Sequence, residues 1–105
     1  MNVKQVKVTE VGPRDGFQSE KTVLKTEDKV DIINHLIKAG FQRIEVSSFV
    51  SPKAIPQLAD AALILENVER NSNATLAALV PNAKGALRAV DAKLDEIVVF
   101  LSASE

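Results

Sequence analysis

The sequence predicts an α/β fold of parallel strands joined by helical crossovers, on three observations. Strand-like and helix-like segments alternate along the chain. The later strand segments, ATLAALV at 74–80 and EIVVFL at 96–101, are continuously apolar, as strands covered on both faces are. Polar outliers gather just after the carboxyl ends of the strand segments, where loops converge in parallel α/β folds. A doubly wound sheet and part of a (β/α)8 barrel both satisfy the pattern. Length alone favours the open sheet, since a whole barrel takes roughly 200 to 250 residues and the chain has 105.

Val6, Val8 and Val11, with Lys7 and Thr9 between them, predict a first strand that runs into the Gly12-Pro13 turn. A loop follows to about Lys25. Thr26 is placed to cap a helix with Glu27 and Asp28 in its first turn. Val30, Ile33, Leu36 and Ile37 form its apolar stripe, and Lys38-Ala39-Gly40 its end. Arg43 to Ser47 reads as a second strand, closed by Ser51-Pro52. Pro56 suits a helix first turn, and Leu58, Ala61, Ala62, Leu65 and Val68 continue one face. The 74–80 strand stops at Pro81-Asn82, a third helix covers about Ala83 to Ala92 despite Gly85, and the 96–101 strand ends the pattern. The expected unit has four strands and three helices in one domain over 1–105.

Thirteen Lys plus Arg against fourteen Asp plus Glu give a net charge of -1, so no basic footprint for nucleic acid exists. No 18-residue apolar span and no signal-like apolar region predict a membrane partner. The lack of cysteine removes disulfides and thiolate chemistry from these residues and suits a reducing, cytoplasmic setting.

Arg14 and Asp15 follow the first strand, Glu45, Ser47 and Ser48 lie in or after the second, Asn82 follows the third, and Ser102, Ser104 and Glu105 follow the fourth. Asp15 offers a hard oxygen suited to Mg2+ or Mn2+, and Arg14 a forked cation for a carboxylate or oxyanion. A simple loop ion pair accounts for the same dipeptide. Glu45 sits inside an apolar strand, where a carboxylate needs a cation, a metal or a proton; a structural pair with Arg43 or with the Arg14 loop would also serve. His35, the only histidine, falls on the first helix and has no metal-ligand spacing. Gly12 and Gly16 form no phosphate-cradling motif.

Four strings, EVGPRDGFQSE at 10–20, IEVSSFVSPKAIPQLAD at 44–60, ALVPNAKG at 78–85 and VVFLSASE at 98–105, resemble in order the amino-terminal part of the 3-hydroxy-3-methylglutaryl-CoA lyases, a branch of a metal-dependent TIM-barrel lyase and synthase family. Phe17 after the Arg-Asp-Gly triplet is typical of the lyase branch, since related synthases usually have glutamate there.

The resemblance implies the amino-terminal half of a TIM barrel and a metal-assisted retro-Claisen cleavage of an acyl-CoA to acetoacetate and acetyl-CoA. Asp15 would then ligate a divalent cation, Mg2+ or Mn2+, and Arg14 would bind substrate and stabilise the thioester enolate. Glu45 would complete the catalytic charge network, and Gln18 would be a weaker substrate-binding candidate. Glycine would let the backbone present both charges. The family's His-x-His pair, asparagine ligand and catalytic cysteine come from the later barrel and are not among these residues. A fragment or truncated product, inactive alone, is the expectation, with uncovered edge strands that favour homo-oligomers. An aldolase or acyl-CoA condensing enzyme of the same family, and a non-catalytic self-associating half-barrel, are the alternatives.

Overall fold

The computed structural model describes residues 5–70 and 73–101. A five-residue π-type turn (Gly12–Gly16) leads into a single helical turn, α1 (Phe17–Ser19), followed by α2 (Thr26–Lys38) and β1 (Arg43–Ser48). A 3-10 turn (Pro56–Leu58), α3 (Ala61–Asn67), β2 (Thr75–Leu79), α4 (Ala83–Asp91) and β3 (Glu96–Val98) complete the order. The strands pair in parallel as β1-β2-β3, without the reversal that marks a doubly wound switch point.

The segment expected as a first strand lies against the free edge of β1 but joins it through one residue. Glu10 donates its N–H to the Arg43 carbonyl at 3.0 Å and accepts from the Glu45 N–H at 2.9 Å. Val6 and Val8 are exposed, so their alternation buries no face that would extend the ladder. β3 is likewise shorter than the 96–101 run: Val99 and Phe100 are exposed, and Leu101 is 94% exposed. The described residues thus hold three strands where four were expected, and the expected loop before Lys25 holds the π-type turn and α1. Ser102, Ser104 and Glu105 lie outside the described residues.

Pairing residues share a face of the sheet. Ile44 and Val46 of β1, with Leu76, Ala78 and Val80, meet Val30, Ile33 and Ile37 of α2, Ala61, Ile64 and Leu65 of α3, and Ala89 of α4 in one apolar core. Ala62, expected on the buried stripe, is exposed, and Ile64 fills the core instead. The expected single helix from Pro56 is split, because Asp60, at φ -101° and ψ 24°, turns its carboxylate towards α2. Thr26 does not cap α2: its hydroxyl donates to Asp60 Oδ2 at 2.5 Å, and Lys25 holds the cap position without a side-chain bond.

α2 and α4 end in the same way. Phe41 N–H reaches the Leu36 carbonyl and Gly40 N–H the Ile37 carbonyl; Leu94 and Lys93 repeat the pattern on Ala89 and Val90. The left-handed residue is Gly40 (φ 100°) in one case and Lys93 (φ 60°) in the other. Lys93→Gly is therefore expected to stabilise the chain by about 0.5–1 kcal/mol, the relief of left-handed strain less the added chain entropy. Denaturant unfolding reads the shift.

Gly85 has a positive reason to be glycine inside α4. A Cβ there would stand 2.6 Å from the Phe49 carbonyl oxygen, where the helix crosses the chain leaving β1. An exposed helical glycine gains about 1 kcal/mol on change to alanine, but Gly85→Ala is expected to lose about 1–3 kcal/mol because backbone must move. A stabilised variant in thermal unfolding would refute the close approach.

Candidate active site

The turn after Glu10 sets the site. Asp15 N–H and Arg14 N–H both reach the Val11 carbonyl, at 2.7 and 3.1 Å, and Phe17 N–H reaches back to Gly12, which gives the wide winding. Pro13 is buried at its start. This winding sends two adjacent side chains in different directions: the Arg14 side chain is 20% exposed and that of Asp15 67%. Gly16 has ordinary helical dihedrals, φ -65° and ψ -47°, and open space where a Cβ would stand. The glycine argument from sequence therefore does not hold there. At Gly12 a Cβ would meet only the Glu10 carboxylate, which accepts the Gly12 N–H at 2.9 Å.

Arg14 Nε donates to Glu45 Oε1 at 3.1 Å, and one terminal nitrogen stands 3.4 Å from Asp15 Oδ1. One guanidinium therefore links the buried Glu45 to the exposed Asp15, and the three residues do come together. Of the two structural partners that Glu45 had in prospect, it takes Arg14. With Glu45 on Nε and Asp15 beside one terminal nitrogen, the guanidinium keeps further N–H donors that can meet a carboxylate or an enolate oxygen. Gln18, on α1, is half-buried and makes no side-chain hydrogen bond among the described residues.

Arg43 instead binds Glu96, at 2.6 and 3.4 Å, and the Thr9 hydroxyl at 2.9 Å, nearer the amino ends of the strands. Its hydrogen bond holds the Glu96 carboxyl below its ordinary range, and the same bond raises the guanidinium. A lowered folded value means that this stabilisation is present above the ordinary carboxylate range and is lost as pH falls through the lowered value. The unfolding midpoint of Glu96→Gln is expected to lie slightly below that of the parent at neutral pH and to converge with it on acidification.

A feature of β1 that the sequence did not reveal extends the site. Glu45 is in register with Ala77, Ser48 with Leu79, and Val46 is skipped as a bulge. Ala77 and Leu79 share a face, so the bulge places Ser48 beside Glu45 although three positions separate them. The Ser47 and Ser48 hydroxyls are buried without hydrogen-bond partners among the described residues. Asn82 serves α4: its amide oxygen accepts the Gly85 N–H at 2.8 Å. His35 is exposed on α2, its Nδ1 bonded to the Asp31 carbonyl, and plays no part at the rim.

As a metal donor among the described residues, the rim offers the outward carboxylate of Asp15. No cluster of three His, Cys, Asp or Glu ligands occurs among the described residues.

The HMGL-like family model matches residues 5–105. The chain belongs to the HMGL-like family. This HMGL-like chain is 47% identical over 102 residues to the hydroxymethylglutaryl-CoA lyase YngG of Bacillus subtilis, across 97% of its own length and 34% of that protein. To the mitochondrial hydroxymethylglutaryl-CoA lyase of Arabidopsis thaliana it is 48% identical, across 97% of its length and 22% of the relative. The crystal structure of the Bacillus subtilis HMG-CoA lyase superposes with a TM-score of 0.93 at 47% identity, over 98% of this chain and 35% of that one. An HMG-CoA lyase from Acinetobacter baumannii, in complex with coenzyme A and 3-methylmalate, gives 0.92 at 47% identity, over 99% and 35%. The HMGL-like chain thus spans about a third or less of the length of these relatives, and its parallel β/α units correspond to the amino-terminal part of their TIM barrel.

Proposed function

We propose that these residues supply the amino-terminal part of a carbon-carbon lyase site that cleaves 3-hydroxy-3-methylglutaryl-CoA to acetoacetate and acetyl-CoA. The observation behind this reading is the Arg14 guanidinium set between buried Glu45 and outward Asp15, in a chain 44–48% identical to proteins named as such lyases. In the reaction the C3 hydroxyl loses its proton, its electrons form the ketone of acetoacetate, and the C2–C3 bond breaks to leave the acetyl-CoA enolate, which is then protonated. Glu45 holds Arg14 by Nε, and the terminal nitrogens of Arg14, one of them beside Asp15, bind substrate and offset the enolate charge. Gln18 lies one turn further along the same loop as a second contact to substrate.

Asp15 would be one ligand of Mg2+ or Mn2+, with the others drawn from outside the described residues. A divalent cation bound there would make the substrate hydroxyl more acidic. The acyl-CoA class gains support from the neighbour solved with coenzyme A. The Pseudomonas aeruginosa relative, at 44% identity, is named for 3-hydroxy-3-isohexenylglutaryl-CoA as well, so the C3 branch is the part of the substrate to vary in assays.

A chimera that joins residues 5–101 to the remaining two-thirds of the Bacillus subtilis lyase tests the proposal. Acetoacetate and acetyl-CoA from hydroxymethylglutaryl-CoA, in a metal-dependent reaction, are expected; the 105 residues alone should be inert. Condensation of a 2-oxo acid with acetyl-CoA instead would make the site that of an aldolase or acyl-CoA condensing enzyme.

One observation favours a second reading, self-association of this chain into homo-oligomers. Val6 and Val8, in the segment beside the free edge of β1, and Val99, Phe100 and Leu101, just past β3, are exposed. Sedimentation should show the chain as an oligomer. No described helix is long and apolar enough to cross a membrane; a cytoplasmic setting is proposed from the cysteine-free sequence, while the plant and human relatives are named mitochondrial.

A further inference from the structure

α2 buries a lysine that the rim chemistry does not use. The Lys29 side chain is 1% exposed, and its ammonium donates to the Gln57 carbonyl at 2.5 Å and to Asp60 Oδ1 at 2.8 Å. The Phe17 ring lies on a further side, with its centroid 5.9 Å from Nζ. Phe17 opens α1, directly after the turn that presents Arg14 and Asp15. Gln57 belongs to the 3-10 turn in the loop after β1, and its side-chain amide donates to the Glu20 carbonyl at 3.0 Å, just past α1.

Packing alone does not call for this arrangement. α2 already meets α3 and the sheet through Val30, Ile33, Ile37, Ile64 and Leu65, and an apolar side chain of similar volume would fill the Lys29 position without the desolvation of a cation. What the ammonium adds is direction. It fixes a carbonyl, a carboxylate and a ring that belong to two different rim loops and the start of α3. We propose that Lys29 is a positioning residue, which from the buried side of α2 couples the turn bearing Arg14 and Asp15 to the loop after β1. The coupling is a property of the loops; only its catalytic consequence, a correctly aimed Arg14, rests on the lyase reading.

The test therefore reads geometry rather than turnover. In the 105-residue chain, the Arg14 Nε–H bonded to Glu45 is followed by nitrogen-proton NMR and its solvent exchange is measured. Lys29→Met/Asp60→Leu replaces the ion pair with apolar groups, a change that is often close to neutral for stability. Exchange at Arg14 Nε is expected to rise about tenfold while the β1 and β2 amides keep their protection, as a local opening would produce. Should that variant fail to fold, Gln57→Ala removes only the link to Glu20 and is expected to move the same signal in the same direction by a smaller factor. Arg14 exchange that stays at its parent value in a folded variant, or that rises only in step with the strand amides, overturns the proposal.

Discussion

Arg14→Met is expected to destabilise the chain by about 3 kcal/mol, the lower end for a broken buried ion pair, since Arg14 keeps some solvent contact. The loss comes less from the missing bond than from what stays behind. Glu45 sits in the sheet among buried neighbours, and without the guanidinium its carboxylate is left unpaired there. The double variant Arg14→Met/Glu45→Leu removes the stranded charge and should recover more than half of the loss in denaturant unfolding. In the barrel chimera neither variant should cleave hydroxymethylglutaryl-CoA, because stability and chemistry ask different things of the same guanidinium. A double variant as unstable as the single one would show that Arg14 supports the fold by some route other than its pair with Glu45.

The sequence revealed the layer order and the rim, because both follow from local pattern. Val30, Ile33 and Ile37 repeat at helical spacing, the apolar run at 74–80 holds a buried parallel strand, and Glu45 is a charge inside an apolar strand that calls for a partner, which the Arg14-Asp15 turn supplies. What it left hidden depends on partners distant in the chain. Thr26 looked like a cap because caps are local, yet its hydroxyl goes to Asp60, 34 positions on. Gly85 looked like a weakness because propensity does not register the Phe49 carbonyl against it. The bulge at Val46 leaves no signature in an apolar strand, and it changes which serine stands beside Glu45. Lys29 did leave a trace: it lies four positions before Ile33 and eight before Ile37, on the buried stripe, where a cation needs a partner.

Asp15→Ala should separate function from stability in the opposite sense to Arg14→Met. The Asp15 carboxylate is largely solvated and its contact with Arg14 is 3.4 Å long, so its removal should change stability by no more than about 0.5 kcal/mol. If it ligates the cation, turnover of the chimera should fall by about a hundredfold or more, and added Mg2+ or Mn2+ should restore little of it. Asp15→Glu keeps a carboxylate oxygen on a longer stem and should recover part of the rate. Retained turnover in Asp15→Ala would remove the metal from this residue, and a stability loss as large as that of Arg14→Met would make the carboxylate a structural partner instead. The contrast has a physical basis in the turn itself: its wide winding points one side chain of the pair into the sheet and the other into solvent, so the inner charge is held by protein and the outer one is left available to a ligand.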